Sequence, residues 1–139
     1  MIESTLMIIK PDGVRRKLIG EVISRIEKKG LEIAAMFMAN LSPSVAKSLY
    51  TEHKGKDFYE PLIEFTISGP VVCMQVCGEQ AVWIMRNMVG KTDCASPGTI
   101  RGDFALPPTR ENVVHASAVG EARRELELVF GLQLSKSAS

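Results

Sequence analysis

A chain of 139 residues, 45% of them apolar, has the size and the apolar content for one domain around a real core. Its 17 Lys and Arg stand against 16 Asp and Glu, so a net charge of +1 gives no basic field for nucleic acid or an anionic membrane face. No apolar run approaches the ~20 residues that span a bilayer, and no basic stretch followed by an apolar run opens the chain as a secretory signal would.

Thr5 to Ile9 is a short apolar run ended by Pro11-Asp12-Gly13, the pattern of a strand entering a turn. Ile19, Val22, Ile23 and Ile26 recur at helical spacing, Glu21 lies four before Arg25 on the other side, and Gly30 is a natural stop. Leu31 to Leu41 is apolar on both alternating faces, which predicts a central strand covered on each side. Ser42-Pro43 reads as a helix start, with Val45 and Leu49 supplying the buried stripe. A further helix is predicted over Tyr59 to Thr66. Ser68-Gly69-Pro70 then breaks the chain before a strand from Val71 to Cys77, closed by Gly78. Ala81, Val82, Met85 and Met88 mark a helix ending near Gly90, Asn112 to Ala116 a short fourth strand, and Ala122, Leu126, Val129 and Phe130 stripe a last helix. The tail from Ser135 is small and polar and is expected to fray.

There is no internal repeat, so a single domain over residues 1–139 is expected. Four strands alternating with helices over short crossovers predict an α+β fold, the ferredoxin-like split βαβ arrangement, with a four-stranded antiparallel sheet covered by helices. That topology hosts many functions and says nothing of chemistry. The cysteines Cys73, Cys77 and Cys94 do not make a disulfide framework or a metal set, so they read as structural, in a reducing, cytoplasmic setting. Lys91 to Glu111 lacks a regular pattern yet holds glycines, prolines, Arg101, Asp103 and Phe104, and a loop of that length in a compact domain is commonly functional.

His115 lies at the end of a short apolar strand beside that loop, where sites are usual, although a lone histidine is also compatible with a hydrogen-bonded core position. Glu125, ten residues on, borders the apolar stripe of the last helix, where its carboxylate can be a solvated charge or can reach back and orient an imidazole. Imidazole is a competent nucleophile once a neighbour fixes its tautomer. Lys10, Arg86 and Arg101 are surface charges or phosphate partners, with Thr92 and the Pro97-Gly98 backbone as neutral donors. No Walker-type loop is present. Tyr50 and Phe58 flank a polar, lysine-rich stretch, and Phe58 there reads either as a stacking platform for a base or as a satellite core contact.

Ile9-Lys10-Pro11-Asp12-Gly13-Val14, Ser68-Gly69-Pro70-Val71-Val72, Pro97-Gly98-Thr99-Ile100-Arg101-Gly102-Asp103-Phe104 and Asn112-Val113-Val114-His115-Ala116-Ser117 follow in this order. In these motifs the chain resembles nucleoside diphosphate kinases, over nearly its whole length from Thr5 to Phe130. The resemblance implies a ferredoxin-like fold and a ping-pong transfer of the γ-phosphate of a nucleoside triphosphate such as ATP to a nucleoside diphosphate, with Mg²⁺ across the phosphates. By that likeness His115 is the phosphorylated histidine, Glu125 orients it, and Lys10, Tyr50, Arg86, Thr92, Arg101 and Asn112 surround the sugar and phosphates. Phe58 is the ring on which the base stacks, and Ser117 is the serine after the histidine. The family assembles as hexamers or, in some bacteria, tetramers, so a homo-oligomer is expected, with a hexamer favoured over a tetramer or dimer.

The chain departs from the family pattern where Gly-Ser-Asp-Ser is replaced by Ala116-Ser117-Ala118-Val119, where Asp93-Cys94 stands in place of the usual proline, and where Pro107-Pro108 lengthens the approach to Asn112. These changes touch helix capping and subunit packing more than nucleotide contact. Two rival readings remain at this level: a catalytically inactive nucleotide-binding module of the same fold, and a nucleic-acid binder. The second asks for aromatics on the strands, and Thr5 to Ile9 and Val71 to Cys77 carry none.

Overall fold

The structure, a computed structural model, describes residues 2–92, 95–106 and 111–138. In chain order it runs β1 (Ile2–Ile9), α1 (Pro11–Arg15), α2 (Ile19–Lys28), β2 (Glu32–Ala39), α3 (Pro43–Leu49), a 3-10 turn (Thr51–His53), α4 (Tyr59–Thr66), β3 (Val71–Glu79), α5 (Ala81–Val89), α6 (Ile100–Phe104), β4 (Val114–Ala116) and α7 (Ala122–Ala138). The four strands form one antiparallel sheet in the order β2-β3-β1-β4, the arrangement expected of a ferredoxin-like α+β fold.

The two inner strands are apolar over residues 6–9 of β1 and 71–74 of β3, where they are buried, because helices cover both faces of the sheet there. Met7 and Ile9 of β1, with Met74 and Val76 of β3, pack against Val22 and Ile26 of α2 and Met85 and Val89 of α5. Leu6 and Ile8, with Val71 and Cys73, pack on the opposite face against Leu49, Leu62, Ile63, Val129 and Phe130 of α3, α4 and α7. Successive side chains of one strand thus feed two separate apolar layers.

Several local signals act as read. The hydroxyl of Ser42 accepts the amide of Val45 at 3.2 Å and Pro43 opens α3. Arg25 Nε lies 3.2 Å from Glu21 Oε2 along α2, which stops at Gly30 with φ 82°. The buried pair of α3 is Ala46 and Leu49, with Val45 half-buried beside it.

Five expectations are corrected. Leu31 to Leu41 does not hold a central strand: β2 is the edge of the sheet, and Met36 and Met38 stand 52% and 56% exposed. Its second face is apolar in sequence, but among the described residues Met36 and Met38 on that face are left uncovered. A bulge at Ala34 also lets Ile33 face one layer while Ala35 and Phe37 face the other. Pro11-Asp12-Gly13 is not a turn but the start of α1, since Pro fits the first helical position. Residues 100–104 of the irregular segment form α6, capped by the Thr99 hydroxyl on the Gly102 amide at 2.9 Å. Gly78 does not close β3 but lies within it, against the side chain of Leu31. At the other end of the chain, α7 continues through the tail to Ala138. Asp93-Cys94 and Pro107-Pro108 lie outside the described residues.

Cys73 is buried, and burial pushes its thiol up to about 12; Cys77 is half-buried with its sulfur 3.1 Å from the Ser4 hydroxyl. Among the described residues no helix is long and apolar enough to cross a membrane.

Candidate active site

The site grows from the junction of β1 and β4. The amide of Lys10, just past β1, donates to the carbonyl of Val113 at 2.8 Å. The amide of Val113 donates in turn to Asp12 Oδ2 at 3.0 Å. Val113 is buried and sits at φ 74°, with the Val114 amide bonded back to the Asn112 carbonyl at 2.8 Å. A β-branched residue in that region is strained, by roughly 1–3 kcal/mol, and persists because its neighbours over-determine it. The tight turn throws Asn112 back toward β1, where its Oδ1 accepts from Lys10 Nζ at 3.1 Å.

His115 follows on β4, paired with Ile8. Its Nε2 lies 2.8 Å from Glu125 Oε1, and the Ser117 hydroxyl donates to the same oxygen at 2.8 Å. The carboxylate is 3% exposed. Burial alone would raise its pKa, but the bond and charge of His115, the hydroxyl of Ser117 and the charge of Arg124 together hold Glu125 below its ordinary value. An ionised Glu125 takes a proton donor on Nε2, which leaves the Nδ1 lone pair of the ring free. The imidazole keeps 14% side-chain exposure, so it is open on one side rather than sealed.

Two guanidiniums grip the backbone on either side of that ring. Arg101 Nη2 donates to the Val114 carbonyl at 2.9 Å and its Nη1 to the Gly90 carbonyl at 3.1 Å. Arg86 Nη1 reaches the Ala116 carbonyl at 3.4 Å. The Nε of Arg101 is buried and has no hydrogen-bond partner among the described residues. Burial lowers the Arg101 pKa to about 10, Tyr50 opposing and Arg86 adding to the effect, so the group stays charged at neutral pH. Burial likewise lowers Lys10 to about 8 against the pull of Asp12, with Arg101 reinforcing the drop. Asp12 itself is raised by burial, against Lys10 and the amides of Val113, Asp12 and Gly13.

Tyr50 is buried edge-on to His115, with ring centroids 5.5 Å apart, and burial pushes its hydroxyl well above the usual range. Phe58 stands at the N-cap of α4, half exposed. Thr92 is exposed at the start of the connection from α5 to α6. The structure thus gathers His115, Glu125, Ser117, Lys10, Asn112, Arg86, Arg101 and Tyr50 closely, and leaves Phe58 and Thr92 nearer solvent. A groove of about 690 Å³ between α2 and α5, lined by Arg25, Lys28, Trp83 and Met88 among others, contains none of them. Among the described residues no group of three or more His, Cys, Asp and Glu converges as a metal set would.

Sequence reasoning missed Asp12, hidden in what read as a turn. It also missed Phe65, over whose ring Lys10 Nζ and Arg15 stand at 5.4 and 5.7 Å. The available signal was an acidic residue two positions after a lysine at a strand end.

A family model described as nucleoside diphosphate kinase matches residues 3–134. The nucleoside diphosphate kinase of Metallosphaera sedula is 56% identical over 92% of this chain and 93% of its own, and that of Saccharolobus solfataricus 52% over 92% and 94%. A solved nucleoside diphosphate kinase of Halobacterium salinarum, in complex with CDP, superposes with a TM-score of 0.90 at 37% identity, over 94% of this chain and 88% of that one. The chain belongs to the nucleoside diphosphate kinase family, and its activity is that of a phosphotransferase acting on nucleotides.

Proposed function

We propose that the chain moves the γ-phosphate of a nucleoside triphosphate onto a nucleoside diphosphate through His115, and that the 2.8 Å pairing of its Nε2 with a buried, ionised Glu125 carries the mechanism. With Nε2–H donated to Glu125, the Nδ1 lone pair attacks the γ-phosphorus. The P–N bond forms as the bond to the bridging oxygen breaks, and a nucleoside diphosphate leaves with that electron pair. The ring then holds its Nε2 proton and a positive charge, which Glu125 stabilises. In the return half-reaction a terminal oxygen of the second diphosphate displaces the imidazole.

Phosphoryl transfer asks the protein for position and charge more than for covalent chemistry. Arg86, Arg101 and Thr92 supply donors to the phosphate oxygens. Lys10 and Asn112, already bonded to each other, address the sugar hydroxyls, and Tyr50 packs the reacting ring. Phe58 offers its exposed face to the base. Mg²⁺ enters as part of the nucleotide substrate, on phosphate oxygens and water. That the Halobacterium relative was solved with CDP supports a nucleotide in this cleft.

The whole chain is read as one domain, since a single sheet carries both apolar layers. A cytoplasmic homo-oligomer is proposed, with a hexamer favoured; the uncovered β2 edge with Met36 and Met38 outward suits a subunit contact. The inactive-module reading has no observation in its favour.

The test is incubation with γ-labelled ATP. The expected label on the protein is acid-labile, base-stable, absent in His115→Ala, and discharged by a nucleoside diphosphate. A label that survives in His115→Ala removes the reading.

A further inference from the structure

Four rings run in series outward from His115. Tyr50 meets His115 edge-on at 5.5 Å; His53 stacks against Tyr50 at 6.3 Å and 28°; Phe58 tilts against His53 at 5.0 Å and 59°. His53 ends the 3-10 turn that follows α3, and Phe58 caps α4, so the two rings come from different sides of one short loop. Lys56 joins them: its Nζ lies 3.2 Å from His53 Nδ1 and 5.7 Å from the Phe58 centroid. An ammonium has no acceptor, so Nδ1 accepts from it and the ring proton sits on Nε2, on the side of Glu52 Oε1 at 3.7 Å.

Phe58 is 49% exposed, so about half of its surface is covered by neighbours. Among those neighbours are His53 on one flank and Lys56 over the ring. A half-exposed ring that receives a flat ligand binds it better if the ring is already held, because less side-chain freedom is lost on binding.

We propose that His53 is a positioning residue for the nucleotide base: it braces Phe58 in place and ties it through Tyr50 to the reacting imidazole. The role rests on the reading that Phe58 stacks the base. It predicts an effect on substrate capture and none on the transfer step.

The experiment is steady-state kinetics with ADP and GDP as acceptors on His53→Ala, His53→Phe, Phe58→Ala and the double variant His53→Ala/Phe58→Ala. His53→Ala is expected to raise KM about three- to tenfold, the range an aromatic pair contributes, with kcat within about twofold. His53→Phe restores KM, since the ring is the brace. The double variant has the KM of Phe58→Ala alone, since a brace with nothing to hold does nothing. If Phe58→Ala raises KM and His53→Ala does not, the brace is overturned and the stacking reading stands. If Phe58→Ala leaves KM unchanged, the stacking reading falls and the brace with it. A fall in kcat for His53→Ala that His53→Phe does not recover makes the residue merely structural and overturns the proposal.

Discussion

The carboxylate of Asp12 and the amide of Val113 meet at 3.0 Å, and this bond ties the start of α1 to the turn that precedes His115. It is charge-assisted, buried, and holds a β-branched residue at φ 74°. Asp12→Ala removes it and leaves the Val113 amide unsatisfied, so a loss of about 2–3 kcal/mol in denaturant unfolding is expected, with a fall in kcat/KM as the backbone before His115 relaxes. Asp12→Asn keeps an acceptor oxygen and should lose less stability. Equal losses for Ala and Asn would show that the bond is not what matters.

Lys10 yields a prediction with two opposite signs. Its folded pKa, lowered by burial to about 8, lies below its ordinary 10.5. As pH rises through about 8 the free enzyme loses a positive charge at the site, so kcat/KM should fall there. Bound phosphates hold the proton on, so kcat should persist to higher pH. Arg101 titrates near 10 and burial raises the Tyr50 hydroxyl well above its usual range, so neither accounts for a limb at 8. Stability moves the other way: between about 8 and 10.5 the folded state binds fewer protons than the unfolded one, so stability rises with pH, by at most about 3 kcal/mol for this group. Thermal melts of the parent and Lys10→Met from pH 7 to 10 isolate that contribution; parallel curves would refute it.

How much of this was legible follows from which forces act locally. The helix from Ile19, the Ser42 cap and the strand from Val71 are written in side-chain periodicity and capping chemistry, and they appear where those signals put them. The place of β2 in the sheet is not local: an apolar strand reads the same at an edge as at the centre, and only strand order leaves Met36 and Met38 uncovered. The short helix α6 was hidden because Gly102 argues against a helix, while the reason for that glycine is a tertiary approach to Ser96. Within the site, His115 and Glu125 were legible as residue types with a plausible reach. The grip of Arg101 on the Val114 carbonyl was not, because it joins an irregular segment to a strand through tertiary packing.

Glu125 should show its role in both pH stability and turnover. Its folded pKa is depressed, so it contributes stability that is present above its unfolded value and is lost as pH falls through the folded one. Glu125→Gln removes that contribution and flattens the acid slope of unfolding relative to the parent. The positive charge on the phosphorylated ring also loses its partner, and phosphoenzyme formation should slow roughly 10²-fold in single-turnover experiments, with nucleotide affinity little changed. Unchanged single-turnover rates would refute the claim that Glu125 holds the ring for reaction.

Gly102 tests whether α6 must seat as it does for Arg101 to reach its carbonyls. A methyl group there would run into the Ser96 carbonyl oxygen and meet the Thr99 hydroxyl at 2.8 Å, so backbone rather than a flexible side-chain end stands in the way. Gly102→Ala therefore has to push α6 outward or break its Thr99 cap. Either displaces Arg101, one residue before it, from the Gly90 and Val114 carbonyls. A stability loss of about 2 kcal/mol or more is expected, since overpacking against backbone cannot relax locally. It should come with a raised KM for both nucleotide substrates if, as proposed, the displaced guanidinium addresses the phosphates. Gly98→Ala is the control in the same segment: its built methyl meets nothing within 4 Å, although its φ of 93° strains any side chain. That variant should lose stability through strain alone and leave KM near the parent value, and a KM as high as that of Gly102→Ala would count against the seating of α6 as the cause.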